Sequence, residues 1–335
     1  MSNKRNDFFD YMKGCLTLMI VWGHCTTALW GGQNIFNIKT FSSAFGMPLF
    51  MGISGYLLFL SINKSKTFIQ LISDKVLRVL VPCLIWELII SIIAQFTVVK
   101  DLRFLTIWYL WAYFVCSIGL IVCRKILRSD TLFYIALALI SVGMFLFPSD
   151  TWYLSWMFLP LALGYSINAF QIKITEWHIA LKIGIIAVFI VLCFFYKYDY
   201  TVYAFGSSYF LHPDFFVHFY RTVYSVVGTF AAVFVMHWLY SIHASDRIHR
   251  WICRIGKDSL GIYVIHGYVM IPELKTIAQR YHFHVFFENK MWLLNYILAP
   301  ITAIVLILAC MLIIHLLRKT KVTSLLFLGE KKKTQ

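Results

Sequence analysis

Charged side chains are scarce in this sequence. They make up 13% of its 335 residues, and only 15 residues are Asp or Glu. Soluble domains carry about 25% charged and roughly 45–50% apolar residues, whereas here 60% are hydrophobic. A soluble core of this length cannot hide that excess, so lipid must cover part of the surface. Other absences narrow the reading further. The eight cysteines (Cys15, Cys25, Cys83, Cys116, Cys123, Cys193, Cys253 and Cys310) form no CxxC pair and no metal-ligand spacing. They read as small apolar packing residues, and no resident metal is expected. The net charge of +15 comes without any basic–aromatic module, which argues against nucleic acid. No polar linker divides the apolar runs and no internal repeat is visible, so a single membrane domain over 1–335 is expected. The first apolar run lacks a small-residue cleavage site and is expected to stay as a helix. No soluble catalytic domain is expected at either end, which confines any chemistry to the membrane or its surface.

What the sequence does have is a series of long apolar runs, near 12–30, 41–60, 78–98, 103–123, 131–147, 152–170, 179–197, 216–240, 258–272 and 291–317. A helix needs about 20 mostly apolar residues to cross the hydrocarbon, so an all-α polytopic protein with about ten transmembrane helices is expected. The charges between runs orient them. With the N-terminus inside, only Lys39, Lys100, Arg103, Lys197, Lys275, Arg280 and Lys290 of the 30 basic residues fall on outer segments. Lys13 and Arg221 lie inside helix ends, and the others cluster on inner segments, notably 61–77, 241–257 and a basic tail over 318–335, so both termini are expected in the cytoplasm. The inner basic residues also suit anionic lipid headgroups.

Polar groups inside such runs are costly and mark candidate sites. The first run carries Lys13 near its inner end and His24 deeper, about 16 Å along one helix and nearly on one face. Lys13 also suits a snorkelling role or an i, i+3 pair with Asp10, and His24 a packed, hydrogen-bonded role. Glu87 lies within the third run, and the ninth reads Ser259-Leu-Gly-Ile-Tyr-Val-Ile-His266. Two imidazoles and a carboxylate at comparable depth are what proton handling requires, and a packing cluster is the other reading. In the second run, Pro48 favours a kink, and Gly52, Ser54 and Gly55 permit close approach of a helix or ligand. Lys75 and Arg78 on the following inner segment suit either phosphates or lipid headgroups.

In order, these pieces resemble the membrane acyltransferase family 3, and within it the sugar O-acetyltransferase branch of fucose 4-O-acetylase-like proteins. The matching pieces are Phe9-Asp10-Tyr-Met-Lys13-Gly14 with Val21-Trp-Gly-His24; Phe45-Gly-Met-Pro48-Leu-Phe with Ser54-Gly55-Tyr56; Arg78 with Pro82; Trp108-Tyr-Leu-Trp111; and Ser259 to His266. The likeness is strongest over 8–270. It implies transfer of an acyl group, usually acetyl, from cytosolic acyl-coenzyme A to a hydroxyl of a cell-envelope or exported glycan. The protein would be multi-pass in a bacterial inner membrane, with acetyl-CoA as co-substrate and no permanently bound cofactor. By resemblance His24 is the catalytic residue, acting as general base or through an acyl-histidine. Glu87 and His266 would orient it or handle protons. Lys13, Lys75 and Arg78 would bind coenzyme A phosphates, and Trp108, Tyr109, Trp111 and Ser54 would meet the acceptor, the three aromatics suiting an interfacial aromatic belt equally. The family has arginine at the Lys13 position, so the charge is kept and the bidentate fork lost. The alternative is a transporter or flippase for a lipid-linked glycan, although the symmetric halves that would support it are lacking. An envelope glycan polymerase or ligase would favour a large charged outer loop, also lacking.

Overall fold

Within a single stretch of 17 residues, Leu132, Ile135, Leu139 and Val142 all lie more than half or close to half exposed along one side of a helix. The same holds for Ile301, Val305, Leu308 and Leu312. Continuous apolar stripes of this kind are liabilities in water and the normal outer surface of a helix in lipid.

The computed structural model describes residues 7–30, 38–63, 66–96, 107–146, 154–196, 215–242 and 246–330, and every regular element among them is helical. In chain order these are α1 (Asp7–Trp30), α2 (Ile38–Ile62), α3 (Phe68–Lys75) leading through a π-helical turn (Val76–Leu80) into α4 (Val81–Phe96), α5 (Trp108–Ile126), α6 (Asp130–Leu146), α7 (Leu154–Ala169), α8 (Ile179–Phe195) and α9 (Phe215–Ser241). Then come α10 (Asp246–Val264), a second π turn (Ile265–Met270), α11 (Ile271–Arg280), α12 (Phe283–Phe287), α13 (Met291–Leu293), a third π turn (Leu294–Leu298), α14 (Ala299–Leu317) and α15 (Lys321–Leu328). The described parts of all ten apolar runs fall on this helical series. Among the described residues five stretches are long and apolar enough to cross a membrane: Phe45–Ile62, Phe68–Ile93, Trp108–Ile126, Phe219–Ser241 and Met291–Leu317. The other runs fall short for identifiable reasons. Lys13 and His24 dilute α1, α6 to α8 are short, and the ninth run is divided between amphipathic α10, a π turn and α11. Lys4, Arg5, Lys100, Arg103, Lys197, the Lys331–Lys333 run and most of the outer segment 198–215 lie outside the described residues.

The chain forms two compact units. The first comprises Met1–Gly46, His178–Thr201 and Val227–Lys319, the second Met47–Trp177, Val202–Val226 and Thr320–Gln335. In the first, α1 lies against α10 with their backbones touching. A Cβ on Gly256 would strike the Asp10 carbonyl, and one on Gly14 would strike that of Ile252. The second unit uses the same device, since a Cβ on Gly164 would meet the Gly52 backbone and one on Gly55 the Leu161 carbonyl. Lipid gives apolar side chains no reason to leave it, so small residues that let backbones approach provide the van der Waals contact. Around that crossing of α2 and α7, Met51, Leu58, Leu120, Phe133, Met157, Leu161 and Tyr165 form the core of the second unit.

Candidate active site

The α1–α10 contact in the first unit fixes the histidines. Toward its start, Lys13 Nζ lies 3.0 Å from Asp10 Oδ1, and Asp10 is only 2% exposed. The i, i+3 pair expected from spacing is therefore formed. Two and three turns further on, Trp22 Nε1 donates to the Asn295 carbonyl at 2.7 Å, which ties α1 to the third π turn. His24 then meets His266 edge to face, with ring centroids 5.4 Å apart and planes at 78°.

His266 sits in the second π turn. Such turns insert a residue, loosen the backbone ladder and recur at functional sites. Its Nδ1 lies 2.5 Å from the Ile262 carbonyl. A carbonyl only accepts, so Nδ1 carries the proton and the neutral ring presents a lone pair at Nε2. His266 is 2% exposed, and Nε2 has no hydrogen-bond partner among the described residues. The ring that meets His24 edge to face thus carries a buried basic nitrogen of defined tautomer.

The second unit holds the other candidates. Lys75 closes α3, and its Nζ reaches the Tyr113 hydroxyl at 2.5 Å, over the ring at 4.4 Å from the centroid. Ser54, half-buried on α2, donates to the Phe50 carbonyl at 2.9 Å, and the Tyr109 and Tyr113 hydroxyls converge on it. Ser54, Lys75 and Tyr109 are thus gathered, with Tyr113, which sequence reasoning had not singled out, at the centre. Arg78 stands apart, exposed in the first π turn.

Glu87 is 3% exposed, and its Oε1 accepts the Ile107 backbone N–H at 2.8 Å. Ile107 is the cap residue of α5, so the carboxylate lies at a helix N-terminus, where the partial positive charge favours it. This positions the first turn of α5, which carries Trp108, Tyr109 and Trp111. Trp108 stacks with Trp156 at 6.3 Å, and the Arg221 guanidinium lies over Trp156 at 4.3 Å from its centroid. Arg221 is 2% exposed. Its signal in the sequence is an arginine inside an apolar run. Trp111 is half-buried on the same helix. The histidines and Lys13 therefore belong to one unit, and Ser54, Lys75, Arg78, Glu87, Trp108, Tyr109 and Trp111 to the other. No group of three or more His, Cys, Asp or Glu side chains among the described residues is arranged to hold a metal ion.

Comparison with known proteins adds a family. The family model of the Acyl_transf_3 acyltransferase domain matches residues 6–316. Two curated relatives share shorter stretches. Nodulation protein NolL of Mesorhizobium japonicum is 30% identical over 134 residues, 35% of each chain. Nodulation protein NolL of Sinorhizobium fredii is 34% identical over 89 residues, 25% of this chain and 24% of its own. The matched region thus spans about a third or less of either relative. No solved structure matches.

Proposed function

Because this chain belongs to the acyltransferase family whose domain model covers residues 6–316, we propose that it is a membrane O-acyltransferase that moves an acyl group, acetyl for preference, from acyl-coenzyme A to a hydroxyl of an envelope or exported glycan. The observation that carries this reading is the His24–His266 pair, with the His266 proton held on Nδ1 by Ile262. Acyl transfer to a hydroxyl needs a base, because a neutral alcohol attacks a thioester slowly. In the proposed step His24 accepts the hydroxyl proton as the oxygen attacks the thioester carbonyl. The C–S bond then breaks, and the proton passes to the departing coenzyme A thiolate. The new bond is an ester, and donor and acceptor account for every atom. His266, held in one tautomer by the Ile262 carbonyl, packs edge to face against the His24 imidazole and positions it.

Lys13, Lys75 and Arg78 are the candidates for the donor phosphates, and Ser54, Trp108, Tyr109 and Trp111 for the acceptor. Glu87 acts through α5 by holding the turn that carries those aromatics. The protein works in the cell membrane with both termini cytoplasmic, facing a cytosolic donor. The test is release of free coenzyme A thiol from acetyl-coenzyme A by purified protein in nanodiscs, with a panel of glycan acceptors. His24→Ala should abolish acceptor-dependent release while the protein stays inserted and monodisperse. Activity within a few-fold of wild type would remove His24 from the mechanism. Glycan movement without thioester consumption would favour a flippase instead.

A further inference from the structure

The helix α15 lies beyond residue 316, where the family match ends. It is capped at both ends: the Thr320 side chain accepts from the Thr323 N–H, and Gly329 closes it in the left-handed conformation at φ 65°. Its docking site is the first π turn and the start of α4. A Cβ on Gly329 would collide with the Arg78 carbonyl, so glycine is required there both for its backbone angle and for the close approach. Eight residues after Arg78, on α4, Trp86 is 6% exposed and its Nε1 donates to the Phe327 carbonyl at 2.9 Å. The Trp86 and Phe327 rings meet edge to face at 5.4 Å. That bond satisfies one of the last carbonyls of α15, which have no partner within their own helix.

These contacts pin the π turn and the helix that follows it. One falls on Arg78 inside it and the other on Trp86 beyond it. The position matters because a π turn holds one surplus residue, and sliding that surplus along the helix rotates each residue it passes by about 100°. Such a slide would swing the Arg78 side chain out of its present direction. We propose that α15 is a positioning element for the acyl donor: by seating Gly329 on the Arg78 backbone and Phe327 on Trp86, it locks the π register and aims the Arg78 guanidinium at the donor's nucleotide phosphates. The inference rests on the proposed role of Arg78 in donor binding. Gly329 and Trp86 touch no substrate and act through Arg78.

The experiment measures steady-state KM and kcat with acetyl-coenzyme A varied, together with coenzyme A binding by calorimetry, on full-length protein in nanodiscs. Trp86→Phe keeps the ring and deletes the hydrogen bond. Gly329→Ala introduces both the unfavourable φ and the collision. Each should raise the donor KM, and weaken coenzyme A binding, by about three- to tenfold, with kcat within about twofold of wild type. A merely structural helix would lower thermal stability and leave KM in place, and that result would overturn the proposal. Arg78→Ala is the reference arm. If it raises KM while both other variants leave KM unchanged, the positioning role is refuted and the donor role of Arg78 stands. If it leaves KM unchanged, the donor role of Arg78 fails and the proposal with it. Should Gly329→Ala not accumulate, Trp86→Phe alone decides.

Discussion

Lys13 is expected to do two things at once, and a double-mutant cycle separates them. Its ammonium lies 3.0 Å from Asp10 Oδ1, with Lys13 18% and Asp10 2% exposed. Truncating the lysine deprives a buried carboxylate of its cation. Breaking a fully buried pair costs roughly 3–5 kcal/mol, and the partial exposure of Lys13 puts this case near the lower end, about 3 kcal/mol. A separate loss is expected in catalysis. A charge-assisted contact to a donor phosphate is worth about 1.5–3 kcal/mol, so Lys13→Ala should raise the acetyl-coenzyme A KM by roughly ten- to a hundredfold. The contact exists in ground and transition states alike, so kcat should change much less. Asp10→Asn combined with Lys13→Ala removes the carboxylate charge that Lys13 balances. It should recover most of the thermal stability and none of the donor affinity, while Lys13→Arg should keep both. The assay is thermal unfolding in detergent alongside steady-state kinetics in nanodiscs. If the double variant recovered KM together with stability, Lys13 would be an ion-pair residue only, and the donor role would pass to the second unit.

Glu87→Gln preserves an acceptor for the Ile107 N–H, so it should cost only about 0.3–1 kcal/mol of charge–dipole stabilisation and leave transfer within a few-fold of wild type. Glu87→Ala should cost about 1–3 kcal/mol by leaving that buried donor without this bond. A loss of turnover beyond about tenfold in Glu87→Gln, without a matching fall in melting temperature, would instead give the ionised carboxylate a chemical role. Gly256→Ala drives a methyl group into the Asp10 carbonyl and should destabilise by about 3 kcal/mol or more, read as lost monodispersity in detergent; normal behaviour would mean that α1 and α10 can part freely. A cysteine placed at the exposed position of Arg250 should react with an impermeant maleimide only from the cytoplasmic side, and labelling of intact cells from outside would overturn the orientation.

The apolar runs were legible because period and length leave few alternatives in lipid. The described part of each run is helical, and His24 and His266 were visible as imidazoles where imidazoles are expensive. Three π turns were not legible. They arise from packing between helices, and Ile265–Met270 has no local composition that separates it from an α-helix. Glu87 was recognised as buried, yet its partner is a backbone N–H at Ile107, a contact that no side-chain pattern encodes. Tyr113 was missed because a tyrosine in an aromatic-rich span carries no signal until Lys75 bends toward it. The segment 318–335 read as a basic tail, since its lysines dominated the reading. The cap residues Thr320 and Gly329, flanking Leu325, Leu326, Phe327 and Leu328, were the overlooked signs of a docked helix.

The glycine crossings set where this scaffold can be hardened. Replacing glycine by alanine in a helix ordinarily gains about 0.5–1 kcal/mol, because it removes backbone freedom from the unfolded chain. At Gly14, Gly52, Gly55, Gly164 and Gly256 the neighbouring helix occupies or closely borders the space that a methyl group would need. At Gly119, Gly143 and Gly184 nothing lies within 4 Å of that methyl position. A consensus or saturation library that treats all helical glycines alike would mix opposite outcomes. Confined to those three open positions, the same substitution should yield a more heat-resistant protein whose helix crossings, and the imidazole pair they position, are untouched.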